Sequence, residues 1–168
     1  MHIFLTGFMG VGKTTIGKEL AKLYSLPFVD LDQYIETEQG QSITSIFEQD
    51  GEAVFRKIER EALLQLIKNS TPNTIIALGG GTMASSSNHI DIIQNGVCIY
   101  LYLPWKEIEE NIPNLKNRPL IESKTTAELK SLFDKREYFY ALSQLKMPIN
   151  STFTAKKLAQ TLRLSTNR

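Results

Sequence analysis

Gly7-Phe8-Met9-Gly10-Val11-Gly12-Lys13-Thr14 is the stretch whose reading decides the fold. A glycine, four residues, a second glycine, a lysine and a threonine follow one another here. Before them stands a short apolar run, Ile3-Phe4-Leu5-Thr6, and after them Ile16, Leu20, Leu23 and Tyr24 recur at helical spacing. A strand that turns through glycines into a helix is the setting in which this spacing binds phosphate. The glycines let backbone amides face inward around an anion, and the helix start adds its positive end. The lysine then reaches the β and γ phosphates, and the threonine hydroxyl suits Mg²⁺. Gly10, Val11, Gly12, Lys13, Thr14 and Thr15 are therefore the expected ATP-binding residues, with Lys13 also catalytic and Thr14 also a metal ligand. A plain glycine turn between strand and helix is the competing reading, and it would require neither the lysine nor the threonine.

Further short apolar runs, at 27–30, 74–78, 97–103 and more weakly 146–149, alternate with helical patterns. Phe55, Ile58, Ala62 and Leu66 form one such pattern, and Leu129, Leu132 and Phe133 mark another over 126–142. Buried parallel strands read as continuous apolar runs, so the alternation predicts a three-layer α/β fold with five strands. The polar stretch 113–125, with Pro113 and Pro119 and no sustained period, reads as a long surface loop of the kind that serves as a lid.

The totals narrow the function. A chain of 168 residues with 42% hydrophobic content fits one compact domain, 1–168. Nineteen Lys and Arg against 18 Asp and Glu leave no marked excess of charge for a nucleic acid or a membrane surface. Cys98 is the single cysteine and sits in an apolar run, which suits an inert buried thiol in a reducing compartment. No signal-peptide pattern or membrane-length apolar run occurs, so a cytoplasmic protein is the expectation. A monomer acting on small molecules, with no nucleic-acid or membrane partner, is expected alongside it.

Among phosphate-loop proteins a GTPase switch would need Asp-x-x-Gly and Asn-Lys-x-Asp segments, and neither string is present. Phe28-Val29-Asp30-Leu31-Asp32 follows instead. Period-two geometry would turn both carboxylates to one side at the carboxyl edge of the sheet, one for metal and one for substrate. The alternative is a pair of surface acids, with Asp32 capping a helix. Downstream, Asp50-Gly51 reads as a helix stop, and the helix that follows carries Arg56 among aromatic residues. That setting suits carboxylate binding, or else a simple pairing of Arg56 with Glu52 or Glu59. Gly79-Gly80-Gly81 after a strand would let a ligand approach the backbone. Arg118, in Asn117-Arg118-Pro119-Leu120, could bring a cation over transferring phosphates, and Arg136 and Tyr140 share a helix face at i and i+4.

Taken in order along the chain, these segments resemble the shikimate kinases. The more specific parts are Gly7-Phe8-Met9-Gly10, Asp30-Leu31-Asp32, Phe47 to Gly51 with Phe55, Arg56 and Glu59, the triple glycine, Arg118-Pro119-Leu120, and Arg136 with Tyr140. The resemblance implies the nucleoside-monophosphate-kinase-like fold, with a parallel sheet in the order 2-3-1-4-5, and transfer of the ATP γ-phosphoryl group to the 3-hydroxyl of shikimate on the way to chorismate. It implies that Asp32 holds the reacting hydroxyl, with Lys13 and Arg118 as its catalytic companions. Asp30 would support Mg²⁺ with Thr14. Arg56 and Arg136 would clamp the carboxylate, Gly79, Gly80 and Gly81 would contact shikimate, and Phe47 and Phe55 would wall its ring. The substrate-binding segment spans 32–62 and the lid 113–125. Two departures from the family pattern stand out. No basic residue occurs in 108–113, where Lys116 could stand in, and Asn150 replaces an aspartate before the adenine-side residues Ser151, Thr152 and Phe153.

Overall fold

The structure, a computed structural model, describes residues 1–115, 121, 123–150 and 153–162. Arg118, Lys116, Ser151 and Thr152 lie outside the described residues. The strands are β1 His2–Thr6, β2 Phe28–Asp30, β3 Ile75–Ala77, β4 Gly96–Tyr102 and β5 Leu145–Pro148. They form a parallel sheet in the order β2-β3-β1-β4-β5, the order that the resemblance implies. Every residue of β1 is buried, so both faces of the sheet are covered at its centre. The core runs through Phe4, Leu5, Leu20, Ile76, Ile99 and Leu158.

The helices are α1 Lys13–Tyr24, α2 Leu31–Gln39, α3 Ile43–Asn69, α4 Ser86–Asn95, α5 Trp105–Asn111, α6 Thr126–Tyr140 and α7 Ala155–Thr161. In α1 the apolar pattern is corrected at one position, because Leu23 is largely exposed. At 100° per residue Leu23 falls off the flank of the buried arc that runs from Ile16 through Leu20 and Tyr24 to Ala21. Within α3, Gly51 takes φ 82° and ψ 173° and breaks the helix, as the Asp50-Gly51 stop predicts. The new segment turns its Phe55, Ala62 and Leu66 face into the core. The polar stretch after β4 is more regular than its composition suggests. Helix α5 runs into a 3-10 turn at Ile112–Asn114, and Thr125 caps α6 in a reciprocal box with Glu128.

One correction bears on the site. Strand β2 ends at Asp30 and α2 starts at Leu31, so Asp32 stands on the first helical turn rather than on an extended strand. Strand alternation is therefore not what sets the two acids side by side. Nor does Asp32 cap the helix: Asp30 does, its Oδ1 accepting from the amides of Asp32 at 3.1 Å and Gln33 at 3.4 Å.

Candidate active site

Because all the strands run the same way, their carboxyl ends share one edge. The loop after β1, Asp30 at the end of β2 and the glycine turn after β3 therefore meet there, where open α/β sheets bind ligands. They line one cleft of about 930 Å³ together with Phe47, Arg56 and Arg136.

The phosphate-loop half of the cleft follows from backbone geometry. Gly12 holds φ 90°, a left-handed conformation that suits glycine, and α1 begins there without a side-chain cap among the described residues. The first amides of α1 are thus left for an anion. Lys13 Nζ donates to the carbonyls of Gly7 at 2.9 Å and Phe8 at 3.0 Å, which curls the lysine over the loop. Gly10, Gly12, Lys13, Thr14 and Thr15 line the cleft, whereas Val11 is buried, so only its backbone is available to a nucleotide. Thr14 Oγ1 donates to Asp30 Oδ2 at 2.6 Å. No group of three or more His, Cys, Asp or Glu that could hold a metal occurs among the described residues. A Mg²⁺ ion is usually held by one or two carboxylates plus substrate phosphates, and the hard oxygens of Thr14 and Asp30 beside the loop fit that arrangement.

The other half is organised by the triple glycine. A methyl group on Gly79 would lie 2.8 Å from Asp32 Oδ1 and 3.0 Å from Glu59 Oε1. On Gly81 it would lie 2.7 Å from Arg56 Nη2, and on Gly80 3.5 Å from Arg136 Nη1. Gly79 and Gly81 are therefore small because charged groups from α2 and α3 crowd the turn, whereas a methyl on Gly80 would meet Arg136 of α6 at ordinary contact distance. Tyr140 OH donates to the Gly80 carbonyl, fixing the turn from the α6 side. Burial pushes the Tyr140 hydroxyl up to about 12, opposed by the neighbouring Arg136.

Arg56 resolves the choice that the sequence left open, since it does both things at once. Its guanidinium faces the cleft and also pairs with Glu59 at 2.8 Å and Glu52 at 3.0 Å. Burial alone would lower its pKa, but Glu59 and then Glu52 outweigh it, and the net shift is upward. The two acids are unequal partners: Glu59 is 1% exposed and Glu52 66%. Arg136 is buried at the cleft wall, and Phe47 and Phe55 lie 4.6 Å apart between ring centroids. Two guanidinium groups, an apolar wall and the Asp32 carboxylate thus stand beside the phosphate loop. Such a pocket can hold a small organic acid while presenting its hydroxyl to a phosphoryl group.

Glu59 is the member whose position sequence reasoning undervalued. Its i+3 spacing from Arg56 marked it as a possible partner, but nothing in the helix pattern indicated that it would be fully buried. Leu115 is a second. It lines the cleft, and a methyl group on Gly10 would lie 2.7 Å from its Cδ1.

Known proteins share this sequence and fold. The family model described as shikimate kinase matches residues 9–165. A shikimate kinase of Geobacillus thermodenitrificans is 42% identical over 151 residues, covering 89% of this chain and 80% of the relative. One from Persephonella marina is 38% identical, with 87% of each chain covered. Among solved structures, the shikimate kinase of Bacteroides thetaiotaomicron superposes with a TM-score of 0.87 at 30% identity, covering 98% of this chain and 99% of its own. The shikimate kinase of Acinetobacter baumannii, solved in complex with shikimate, gives 0.85 at 34% identity, covering 96% and 90%. By sequence and by fold, the chain belongs to the shikimate kinase family.

Proposed function

We propose that the chain transfers the γ-phosphoryl group of ATP to the 3-hydroxyl of shikimate, giving shikimate 3-phosphate and ADP on the route to chorismate and the aromatic amino acids. The observation that carries this reading is the meeting of Asp32, Arg56 and Arg136 at Gly79–Gly81, in the same cleft as the phosphate loop. Arg56 and Arg136 bind the shikimate carboxylate, and the ring rests against Phe47 and Phe55. Asp32 accepts a hydrogen bond from the 3-hydroxyl and orients its oxygen toward the γ phosphorus. As that oxygen bonds to phosphorus, the bond from phosphorus to the β–γ bridging oxygen breaks, ADP leaves, and the hydroxyl proton passes to Asp32. Lys13 and the first amides of α1 offset the charge on the phosphates. Thr14 and Asp30 would hold Mg²⁺, which would supply neutralisation of the phosphate charge. Arg118 is assigned to the transferring group on its sequence motif alone.

We further propose that the enzyme works as a single-domain cytoplasmic monomer. No described helix is long and apolar enough to cross a membrane. A coupled ADP-release assay with shikimate, gluconate and nucleoside monophosphates tests the substrate assignment. Release with shikimate alone is the expected result, and turnover of gluconate or a nucleotide in preference to it would overturn the reading.

A further inference from the structure

The buried contacts behind the glycine turn extend beyond the cleft. Glu59 has two oxygens and two donors: Oε2 accepts from Arg56 Nη1 at 2.8 Å, and Oε1 accepts from Thr82 Oγ1 at 2.7 Å. Thr82 is fully buried in the 3-10 turn Thr82–Ala84, directly after the triple glycine. Its own carbonyl accepts from Asn88 Nδ2 at 3.1 Å, and Asn88 is 2% exposed. Asn88 Oδ1 in turn accepts from Arg60 Nη1 at 3.0 Å, and that same nitrogen pairs with Asp91 Oδ2 at 2.6 Å. The amide of Asn88 can face only one way, because an arginine can only donate and a carbonyl can only accept. Donation therefore runs one way from Arg60 through Asn88 and Thr82 to Glu59, which accepts from Arg56 on its other side.

We infer that Thr82 and Asn88, neither of which lines the cleft, are positioning residues for the acid-binding arginine. The inference rests on the functional reading above and extends it to the support of Arg56. Glu52 is mostly exposed and holds the outer edge of the guanidinium weakly, so the direction of Arg56 depends on the buried carboxylate of Glu59. A carboxylate pivots about its last torsion unless both oxygens are held. The Thr82 hydroxyl holds the oxygen that Arg56 does not, and Asn88 holds the Thr82 backbone in place. Without them the guanidinium would still be charged and still present, but it would be spread over more directions when the substrate carboxylate arrives.

The test compares Thr82→Val, which keeps shape and loses the hydroxyl, with Thr82→Ser, which keeps the hydroxyl. Asn88→Asp, which keeps the acceptor toward Arg60 and loses the donor toward Thr82, completes the set. Steady-state kinetics on folded enzyme should show the KM for shikimate rising about tenfold in Thr82→Val and Asn88→Asp, with the KM for ATP unchanged and kcat changed less than KM. Thr82→Ser should restore the wild-type value. Inhibition by the methyl ester of shikimate, which lacks the anionic charge, should be equally strong in wild type and Thr82→Val, since only carboxylate recognition is loosened. If Thr82→Val does not fold, Thr82→Ala makes the same comparison. An unchanged KM for shikimate in both Thr82→Val and Asn88→Asp would overturn the inference while leaving the functional reading intact. So would a loss spread equally over shikimate, its ester and ATP. A wild-type enzyme that releases no ADP with shikimate would overturn both.

Discussion

The hydroxyl of Thr14, on the first turn of α1, donates to Oδ2 of Asp30 at 2.6 Å, while Oδ1 of the same carboxylate caps α2. One side chain thus ties the phosphate loop, the end of β2 and the helix that carries Asp32. Asp30 holds structure with one oxygen and faces the proposed metal position with the other. Substitutions can separate the two duties. Asparagine caps a helix about as well as aspartate, but it is a poorer Mg²⁺ ligand. Asp30→Asn should therefore keep its melting temperature within a few degrees while needing more Mg²⁺ for half-maximal activity. Asp30→Ala should also lose stability, by about 1 kcal/mol. A magnesium titration and a thermal melt of both variants check this, and an unchanged Mg²⁺ requirement in Asp30→Asn would remove the metal role.

Lys13→Ala should abolish turnover while the fold persists. The ammonium donates to the Gly7 and Phe8 carbonyls, charge-assisted contacts of roughly 1.5–3 kcal/mol each at the rim of the cleft, where water can replace it, whereas its charge acts on the transferring phosphoryl group. Circular dichroism together with the ADP-release assay separates the two effects. Normal turnover in the folded variant would contradict the nucleotide site.

Arg56→Ala and Arg136→Ala should each weaken shikimate binding by about 2–5 kcal/mol and spare ATP, since either removal leaves a carboxylate partly unpaired. Both should also melt earlier: Arg136 is buried against Gly80 and Tyr140, and loss of Arg56 leaves the buried Glu59 carboxylate without its cation. Glu52→Gln removes an exposed pair of the kind that contributes about 0–1 kcal/mol, and it should leave shikimate affinity within a few-fold of wild type. Titration calorimetry on the three variants reads the affinities, and a thermal melt reads the stability.

Cys98 supplies a prediction in pH. Burial pushes its thiol from 9.0 up to about 12. The folded chain therefore keeps a proton that the unfolded chain gives up, so this contribution to stability is present in full below pH about 9 and fades between about 9 and 12. Native protein should resist alkylation at pH 8, and its alkaline unfolding should shift upward in Cys98→Val. Rapid labelling of the native thiol at pH 8 would show that the burial is not maintained in solution.

The strands were legible because a parallel sheet buried on both faces leaves continuous apolar runs, as 3–6 and 97–103 do. The phosphate loop was legible because its chemistry depends on spacing along the chain. What escaped is three-dimensional pairing. Glu59 looks like any acid on a charged helix until Arg56 and Thr82 are seen to enclose it. Helix α5, seven residues long, is too short to establish a period. The alignment of Asp30 with Asp32 was expected from strand alternation, yet it arises from a strand that ends one residue before the helix begins.

That junction gives the Asp32→Asn variant its discriminating power. The cap of α2 belongs to Asp30, so a helix-capping explanation of Asp32 no longer competes with a catalytic one. What Asp32 gives the helix is a negative charge in the first turn, and the loss of such a charge costs roughly 0.3–1 kcal/mol. Asp32→Asn should therefore fold, melt within a few degrees of wild type and bind ATP with Mg²⁺ normally. Turnover is another matter, because the amide is nearly isosteric with the carboxylate but cannot take the hydroxyl proton. Removal of a general base costs about 10²–10⁴-fold in rate, and kcat should fall by that amount with shikimate and Mg²⁺ both saturating. If Asp32→Asn kept a near-normal kcat, proton acceptance would have no part in the rate. The carboxylate beside Gly79 would then be left to hold the hydroxyl in line with the phosphorus, a task that an amide oxygen can share.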